Sequence, residues 1–433
     1  MIKKFLLCMP AILLVVFFLL FPAPERLGYA GWTTLLIFLI VIYFWVIEIV
    51  PLAITALLGI ALLLATGSVS FTDALSGFSS SGFFLILVGF GIAIGLVVTG
   101  LDKRIAYKIL QHSNTERGLI FGTIIITALL SMIMSNTTTV ILMIPILRHI
   151  VERTKVNRIA LFLAVAFAAN IGGVGTVIGS PPNVIAAQAL GLHFVDWFII
   201  GFPFALVMLA LLFLSFLLYF KLQKKKIKIK KERLTRMSRK EKLVSAFLIL
   251  TIIGWFTSPI HGLSTVAVGL AGTVLMLVFV YSWKDFQSNT DWSVVILIGG
   301  AISLGTALQV TGVAQWLAEN VISITGIEHP LLIVFALVIF SIAFTQFIQN
   351  TATSAMMVPV LIALSSVYDT SINAFVFPVI IGVSMTFLLP PGTAPNALVH
   401  SETKIRTIDM IKAGFLPTIF AFACLFVLSW IML

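Results

Sequence analysis

Apolar runs long enough to cross a lipid bilayer follow one another along almost the whole chain. They cover about 5–22, 32–50, 52–67, 83–100, 159–190, 194–220, 243–258, 262–281, 292–312, 371–400 and 408–432. A helical span needs about 20 consecutive apolar residues, so these runs leave little chain for an extramembrane domain. Two further segments, 118–147 and 330–364, are equally apolar, but each is interrupted midway by a polar cluster. Only 10% of the residues are charged, against about 25% in soluble domains. A soluble enzyme, a nucleic-acid-binding protein and a disordered scaffold are thereby excluded. The expectation is an all-α polytopic membrane protein with about 11 transmembrane helices.

Orientation follows from the basic residues, because Lys and Arg collect in cytoplasmic loops. The stretch Lys221–Lys242 holds 12 of the 27 Lys and Arg residues. Counting spans outward from it, with 118–147 entering and leaving on the same face, places 26 of the 27 in the cytoplasm and only Arg26 outside. If 118–147 were a full crossing, this sorting would collapse. It is therefore expected to be re-entrant, with the N-terminus cytoplasmic and the C-terminus outside, in a cell (inner or plasma) membrane. The net charge of +11 thus reflects loop placement, with contacts to lipid headgroups in second place and no nucleic-acid partner. Residues 1–30 read as a retained first helix in preference to a cleaved signal peptide. Trp32, Trp45, Trp255, Trp283, Trp292 and Trp430 fall near run ends, as expected of interfacial belts. Cys8 and Cys424 give no disulfide framework, and the six histidines form no ligand-spaced pair.

The chain also repeats itself. SNTTTVILMIPIL at 135–147 matches QNTATSAMMVPVL at 349–361, GSPPN at 179–183 matches GTAPN at 392–396, and VVTG at 97–100 matches QVTG at 309–312. The three offsets lie between 212 and 214 residues. Each unit, roughly 32–220 and 243–432, contains five spans and one re-entrant segment. Five is odd, so the second copy runs through the membrane upside down, an architecture typical of secondary transporters.

Non-helical backbone survives at membrane depth only inside protein or around a cavity. The clusters Ser135-Asn136-Thr137 and Gln349-Asn350-Thr351 read as tips of two helical hairpins. Residues 170–183 and 389–396 are too rich in Gly and Pro for continuous helix, so two spans are broken. Half-helix ends therefore meet near the bilayer centre, where N-termini suit an anion and exposed carbonyls suit a small hard cation such as sodium. No Asp, Glu, Lys or Arg lies in 118–147, 159–190, 330–364 or 371–400. A buried anion would then need a co-bound cation to balance it. Glu48 reads as a snorkelling or paired residue. No paired carboxylates or Ser/His/Asp set support an enzyme.

These motifs resemble the divalent anion/sodium symporter family over essentially the full length. The family carries a Ser-Asn-Thr motif at each hairpin tip and a Pro-Pro-Asn-type motif in each broken helix. The resemblance implies a homodimer with a static scaffold (1–115 and 243–327), a moving transport part (116–220 and 328–433) and a basic cytoplasmic linker (221–242). It implies elevator-type uptake of di- or tricarboxylates of the succinate, malate, oxoglutarate or citrate type. No cofactor is implied beyond sodium as coupling ion. By the same resemblance, sodium would be held by Ser131, Ser135, Asn136 and Gly179 in the first copy, and by Thr345, Asn350 and Gly392 in the second. Substrate would meet Ser135, Asn136, Thr137, Ser180, Gln349, Asn350, Thr351, Thr393 and Ala394. Two positions depart from the pattern: Gln349 stands for serine and Ala394 for proline. The family also contains carboxylate exchangers, which need fixed cations in place of sodium. His400, followed by Lys404 and Arg406, is the candidate for that role. Exchange and an anion channel are the alternatives to symport.

Overall fold

The computed structural model describes residues 2–48, 50–224, 226–227, 229 and 235–433. Lys225, Lys228, Lys230, Lys231 and Arg233 of the basic linker lie outside the described residues. Among the described residues the regular structure is helical, apart from an isolated bridge between Thr115 and Lys226. The first half of the chain forms α1 (Ile2–Leu20), α2 (Gly28–Ile47), α3 (Leu52–Thr66), α4 (Phe71–Ala74), α5 (Ser81–Thr99), α6 (Leu101–Leu110), α7 (Glu116–Ser131), α8 (Asn136–Arg153), α9 (Arg158–Val174), α10 (Pro181–Leu190) and α11 (Phe194–Tyr219). The second half forms α12 (Arg239–Phe256), α13 (Ser258–His261), α14 (Thr265–Phe279), α15 (Trp283–Asn289), α16 (Trp292–Val310), α17 (Val313–Thr325), α18 (Pro330–Phe344), α19 (Asn350–Val367), α20 (Ile372–Ser384), α21 (Ala394–Thr403) and α22 (Thr407–Met432).

The repeat seen in three motifs extends to every element from α2 to α11. Each has a counterpart among α12 and α14–α22, in the same order, starting 211 to 214 residues later. The VVTG and QVTG motifs mark one matched joint. Gly100 (φ +74°) closes α5 and Gly312 (φ +73°) closes the turn after α16. Both adopt the left-handed conformation that glycine tolerates without a Cβ penalty, and the chain turns at once into α6 or α17.

Six helices are individually long and apolar enough to cross a membrane: α2, α5, α11, α16, α19 and α22. Two bent pairs, α14 with α15 (119°) and α17 with α18 (102°), pass together. The larger number expected from hydropathy also counts shorter apolar helices, Met9–Leu20, α3, α9 and α20. The last two are short because each is the first half of an interrupted span.

These interrupted spans form the centre of the molecule. Every residue of α9 from Ala160 to Val174 is buried, as is every residue of α20 from Ala374 to Ser384. Small side chains allow this depth: a Cβ on Gly172 would sit 2.5 Å from Ala128 Cα, so α7 and α9 meet backbone to backbone.

Three details differ from the sequence expectation. The Ser/Gly-rich stretch 68–82 is not an open loop. Ser70 caps α4, a 3-10 turn follows at Ser76–Ser79, and Gly77 packs directly on the Gly299 carbonyl. Trp45 and Trp255 are not belt residues but are each 1% exposed. They brace matched helix turns, donating to Leu52 O (3.1 Å) and Thr265 O (2.9 Å). Finally, α6 and α17, which carry too much polar sequence to register as apolar runs, are regular helices leading into the hairpins.

Candidate substrate and cation site

Both hairpins close at their bases, so each brings its two ends together. Asn157 N, just beyond α8, donates to Glu116 Oε1 at the start of α7 (2.7 Å). In the second copy Tyr368, just beyond α19, donates its hydroxyl to Ile327 O ahead of α18. The hairpin tips are residues 132–135 and 345–349.

Opposite the tips lie the two breaks, and their backbone polar groups are satisfied in the same way in both copies. Asn183 Nδ2 donates to Gly173 O and Thr176 O, both at 2.8 Å. Its counterpart Asn396 Nδ2 donates to Thr386 O (3.1 Å) and Leu389 O (3.2 Å). The asparagines of the Pro-Pro-Asn-type motifs are thus braces. Further support comes from Thr176 Oγ1 on Met132 O (2.5 Å), and from Gln346 Oε1, which accepts from Leu388 N (3.0 Å) and Leu389 N (3.3 Å). An unpaired buried backbone group costs a lost hydrogen bond or more, so these side chains hold the breaks open at low cost.

Tips and breaks enclose one cavity of about 430 Å³. All nine residues assigned to substrate line it: Ser135, Asn136, Thr137, Ser180, Gln349, Asn350, Thr351, Thr393 and Ala394. Four helix N-termini open onto it, those of α8, α10, α19 and α21. Those of α8 and α19 present backbone N–H groups, whereas α10 opens on Pro181-Pro182 and α21 on Ala394-Pro395, so these two contribute chiefly the positive end of the helix dipole. None of the lining residues is Lys, Arg or His. The arrangement can hold an anion through peptide dipoles, amides and hydroxyls alone.

The residues assigned to sodium sit at the same tips. Gly179 and Gly392 line the cavity, whereas Ser131 and Thr345 lie fully buried behind it. Ser131 Oγ is 2.5 Å from Asn136 Oδ1 and donates to Ala169 O (2.8 Å). The Asn136 amide faces Ala169 O (3.2 Å) and Gly179 O (3.1 Å), which its Nδ2 can satisfy as a donor or a cation can satisfy with Oδ1 turned inward. Such a convergence of neutral oxygens has the donor chemistry that a hard cation takes. In the second copy, Asn350 Oδ1 accepts from Thr345 Oγ1 (2.6 Å) and Thr386 Oγ1 (3.3 Å). The glycines allow the close approach. A Cβ on Gly179 would fall 2.9 Å from Ser131 O, and one on Gly392 would fall 2.4 Å from Thr345 O. Ser135 is engaged differently: it caps α8, accepting from Thr138 N (3.2 Å).

His400 does not join the site. It is half-buried, with Nε2 3.2 Å from Thr407 Oγ1, and it is absent from the cavity wall. Arg406 is paired with Asp409 (2.8 Å). Sequence reasoning also missed the far wall, made by Ile86, Gly89 and Phe90 of α5 with Asn289, Asp291 and Val294. Asp291 brings a carboxylate to a cavity expected to have none, and caps α16 through Ser293 N (3.1 Å) and Val294 N (3.3 Å). Glu48 shares an adjoining cavity with Asp291 and Gln349. It accepts from Gln349 Nε2 (3.2 Å). The only sequence signal for this wall was an acidic cap immediately ahead of an apolar run.

Known proteins fit this architecture. The family model described as "Citrate transporter" matches residues 42–382 and 263–433. An uncharacterized transporter of Haemophilus influenzae is 35% identical over 399 residues, covering 86% of this chain and 85% of that one. The sodium-dependent dicarboxylate transporter SdcS of Staphylococcus saprophyticus is 33% identical over 450 residues, covering 93% and 86%. Among solved structures, the YdaH transporter of Alcanivorax borkumensis, described as having an unusual topology, shares the fold with a TM-score of 0.55 at 13% identity, over 83% of this chain and 87% of that one. The relatives are membrane transporters and not enzymes, and the chain belongs to the citrate transporter family, within the divalent anion/sodium symporter type.

Proposed function

We propose that the protein takes up a dicarboxylate of the succinate, malate or oxoglutarate class together with sodium, by an elevator movement of residues 116–220 and 328–433 against 1–115 and 243–327. The observation that carries this reading is the convergence of four helix N-termini on a cavity with no basic side chain among the described residues that line it. A dianion placed there is held by dipoles, but its charge in a low-dielectric site needs a counter-charge. Exchange driven by a fixed cation would require a basic side chain in the wall. His400, Lys404 and Arg406 are outside it, which favours symport. The ligand set around Asn136 and the printed name of SdcS point the same way.

The cavity lies between the two parts, with α5 and the start of α16 on the scaffold side. Asn289 and Asp291 follow Lys284 closely, on the face that the basic residues assign to the cytoplasm. On that assignment this is an inward-open arrangement, with the N-terminus cytoplasmic and the C-terminus outside. The working unit in this reading is a homodimer in the cell membrane.

Purified protein in liposomes tests the reading. Uptake of labelled succinate is expected with an inward sodium gradient and empty lumen, and is expected to vanish when potassium replaces sodium. Uptake that requires internal dicarboxylate and ignores sodium would establish exchange and remove the symport reading.

A further inference from the structure

Asn170 reaches out of the first copy into the second. It is fully buried at the last turn of α9. Its Nδ2 lies 2.9 Å from Thr386 O, 3.3 Å from Thr393 Oγ1 and 3.2 Å from Asn396 Oδ1. The amide orientation is fixed by chemistry. Asn396 spends its own Nδ2 on Thr386 O and Leu389 O, so its Oδ1 is free to accept from Asn170. The crossing is one-sided. The counterpart of Asn170 in the second copy, 214 residues on, is Ser384, whose buried hydroxyl has no hydrogen-bond partner among the described residues.

The consequence falls on Thr393. A threonine hydroxyl has one hydrogen to give and two lone pairs. Thr393 Oγ1 accepts from Asn170 Nδ2 and from Asn396 N, each at 3.3 Å. Asn170 has two amide hydrogens for three acceptors, so the one toward Thr393 is shared with Asn396 Oδ1. Both neighbours of Thr393 Oγ1 are still donors, which turns its own hydrogen away from them, and the side chain lines the cavity. Ser180, at the matching position, makes no capping bond at the start of α10. We propose that Asn170 is a positioning residue that presets Thr393 as a hydrogen-bond donor to a substrate carboxylate, making the second broken helix the better anchored end of the bound dianion. This rests on the transport reading given above.

A double-mutant cycle tests it in proteoliposomes, with Asn170→Ala, Thr393→Val and the pair. The expected result is a rise of about tenfold in KM for succinate in each single variant, the loss of one charge-assisted bond, with Vmax changed by less than about threefold. Adding Asn170→Ala to Thr393→Val should then raise KM by less than about twofold more, because the donor it sets is already gone. Asn170→Ser, whose hydroxyl is too short to span to Thr393, should behave like Asn170→Ala, which covers the case that the alanine variant fails to assemble. Losses that multiply in the double variant, or single variants with unchanged KM, overturn the assignment. Wild-type protein that transports no dicarboxylate overturns the transport reading instead.

Discussion

A close backbone approach behind the cavity offers a quantitative perturbation. A Cβ on Gly179 would lie 2.5 Å from Gly173 O and 2.9 Å from Ser131 O. Carbon and carbonyl oxygen rest at about 3.3 Å, so Gly179→Ala forces a retreat of roughly 0.8 Å in a fully buried break. Overpacking of this kind costs about 1–3 kcal/mol of stability. The functional cost should be larger in proportion, because Gly179 and Ser131 both belong to the first oxygen set, along with Asn136 and Ala169. Hard cations of this size class sit about 2.3–2.6 Å from oxygen, and a misplacement approaching 1 Å can cost on the order of 100-fold. We expect the sodium concentration for half-maximal succinate uptake to rise by roughly 10- to 100-fold. The assay is initial uptake in proteoliposomes against external sodium, with thermal unfolding of the purified variant as the fold control. A Gly179→Ala protein that remains folded and keeps the wild-type sodium dependence would refute the assignment of this cluster as a cation site.

Other perturbations follow from the same geometry. Asn136→Ala and Asn350→Ala should each abolish measurable uptake while the protein still elutes as a folded species on size exclusion; near-normal uptake by both would remove the proposed site. Gln349→Ser breaks the bond to Glu48 (3.2 Å) that joins the second hairpin tip to the end of α2. A hydrogen bond to a charged group in a partly exposed setting contributes about 1 kcal/mol, so labelling of a cysteine introduced at the cytoplasmic mouth should slow by about fivefold as the inward-open state loses population; unchanged labelling would show that the bond holds nothing. Arg104→Ala removes the partner of buried Glu241 (2.5 Å) and a contact to Thr235 O (2.7 Å). Glu241 keeps its bond from Ser238 N (2.6 Å), so the loss should be about 1–2 kcal/mol, read as a lower unfolding temperature, and an unchanged unfolding temperature would mean that water replaces the arginine.

Legibility in the sequence tracked backbone exceptions. Hairpin tips and helix breaks demand Asn, Ser, Thr, Gly and Pro within apolar runs, and such residues stand out against Leu, Ile and Val. The duplication made them recognisable twice, and all nine positions assigned to substrate line one cavity. What stayed hidden was supplied by ordinary helical sequence. Ile86, Gly89 and Phe90 look like any stretch of a span, and only tertiary packing brings them to the cavity wall. Asp291 and Glu48 sit at helix ends, where an acidic residue serves as a cap or a snorkelling group far more often than as a wall of a site. Trp45 and Trp255 fooled the belt rule because a run end in sequence is a buried helix turn in space. His400 was the converse case, a residue close to the break in sequence whose helix turns it toward Thr407.

The two kinds of helix end created by each break and each hairpin are sorted in depth. N-terminal ends, at Asn136, Pro181, Asn350 and Ala394, line the cavity. C-terminal ends, at Ser131 and Thr345, are buried behind it. The four N-termini turn the positive ends of their dipoles toward a dianion without neutralising it, while the carbonyls and hydroxyls behind them present partial negative charge to a cation. A helix that crossed the membrane without interruption would leave both ends at the surfaces, and a single copy of the unit would supply only two of each. The inverted duplication brings the second pair of N-termini to the same cavity. Asn136 and Asn350 belong to both layers, since each begins a helix that faces the cavity while its side-chain amide meets Ser131 or Thr345. On this reading sodium and substrate are coupled through shared residues and not through direct contact. Without a cation, Gly179 O depends on the Asn136 amide, and Ala169 O on that amide and the Ser131 hydroxyl, so the tip that carries one of the four dipoles is held less firmly. Sodium would organise the anion site before the anion arrives, and affinity for the dianion should therefore rise with sodium concentration even under equilibrium conditions with no gradient across the membrane.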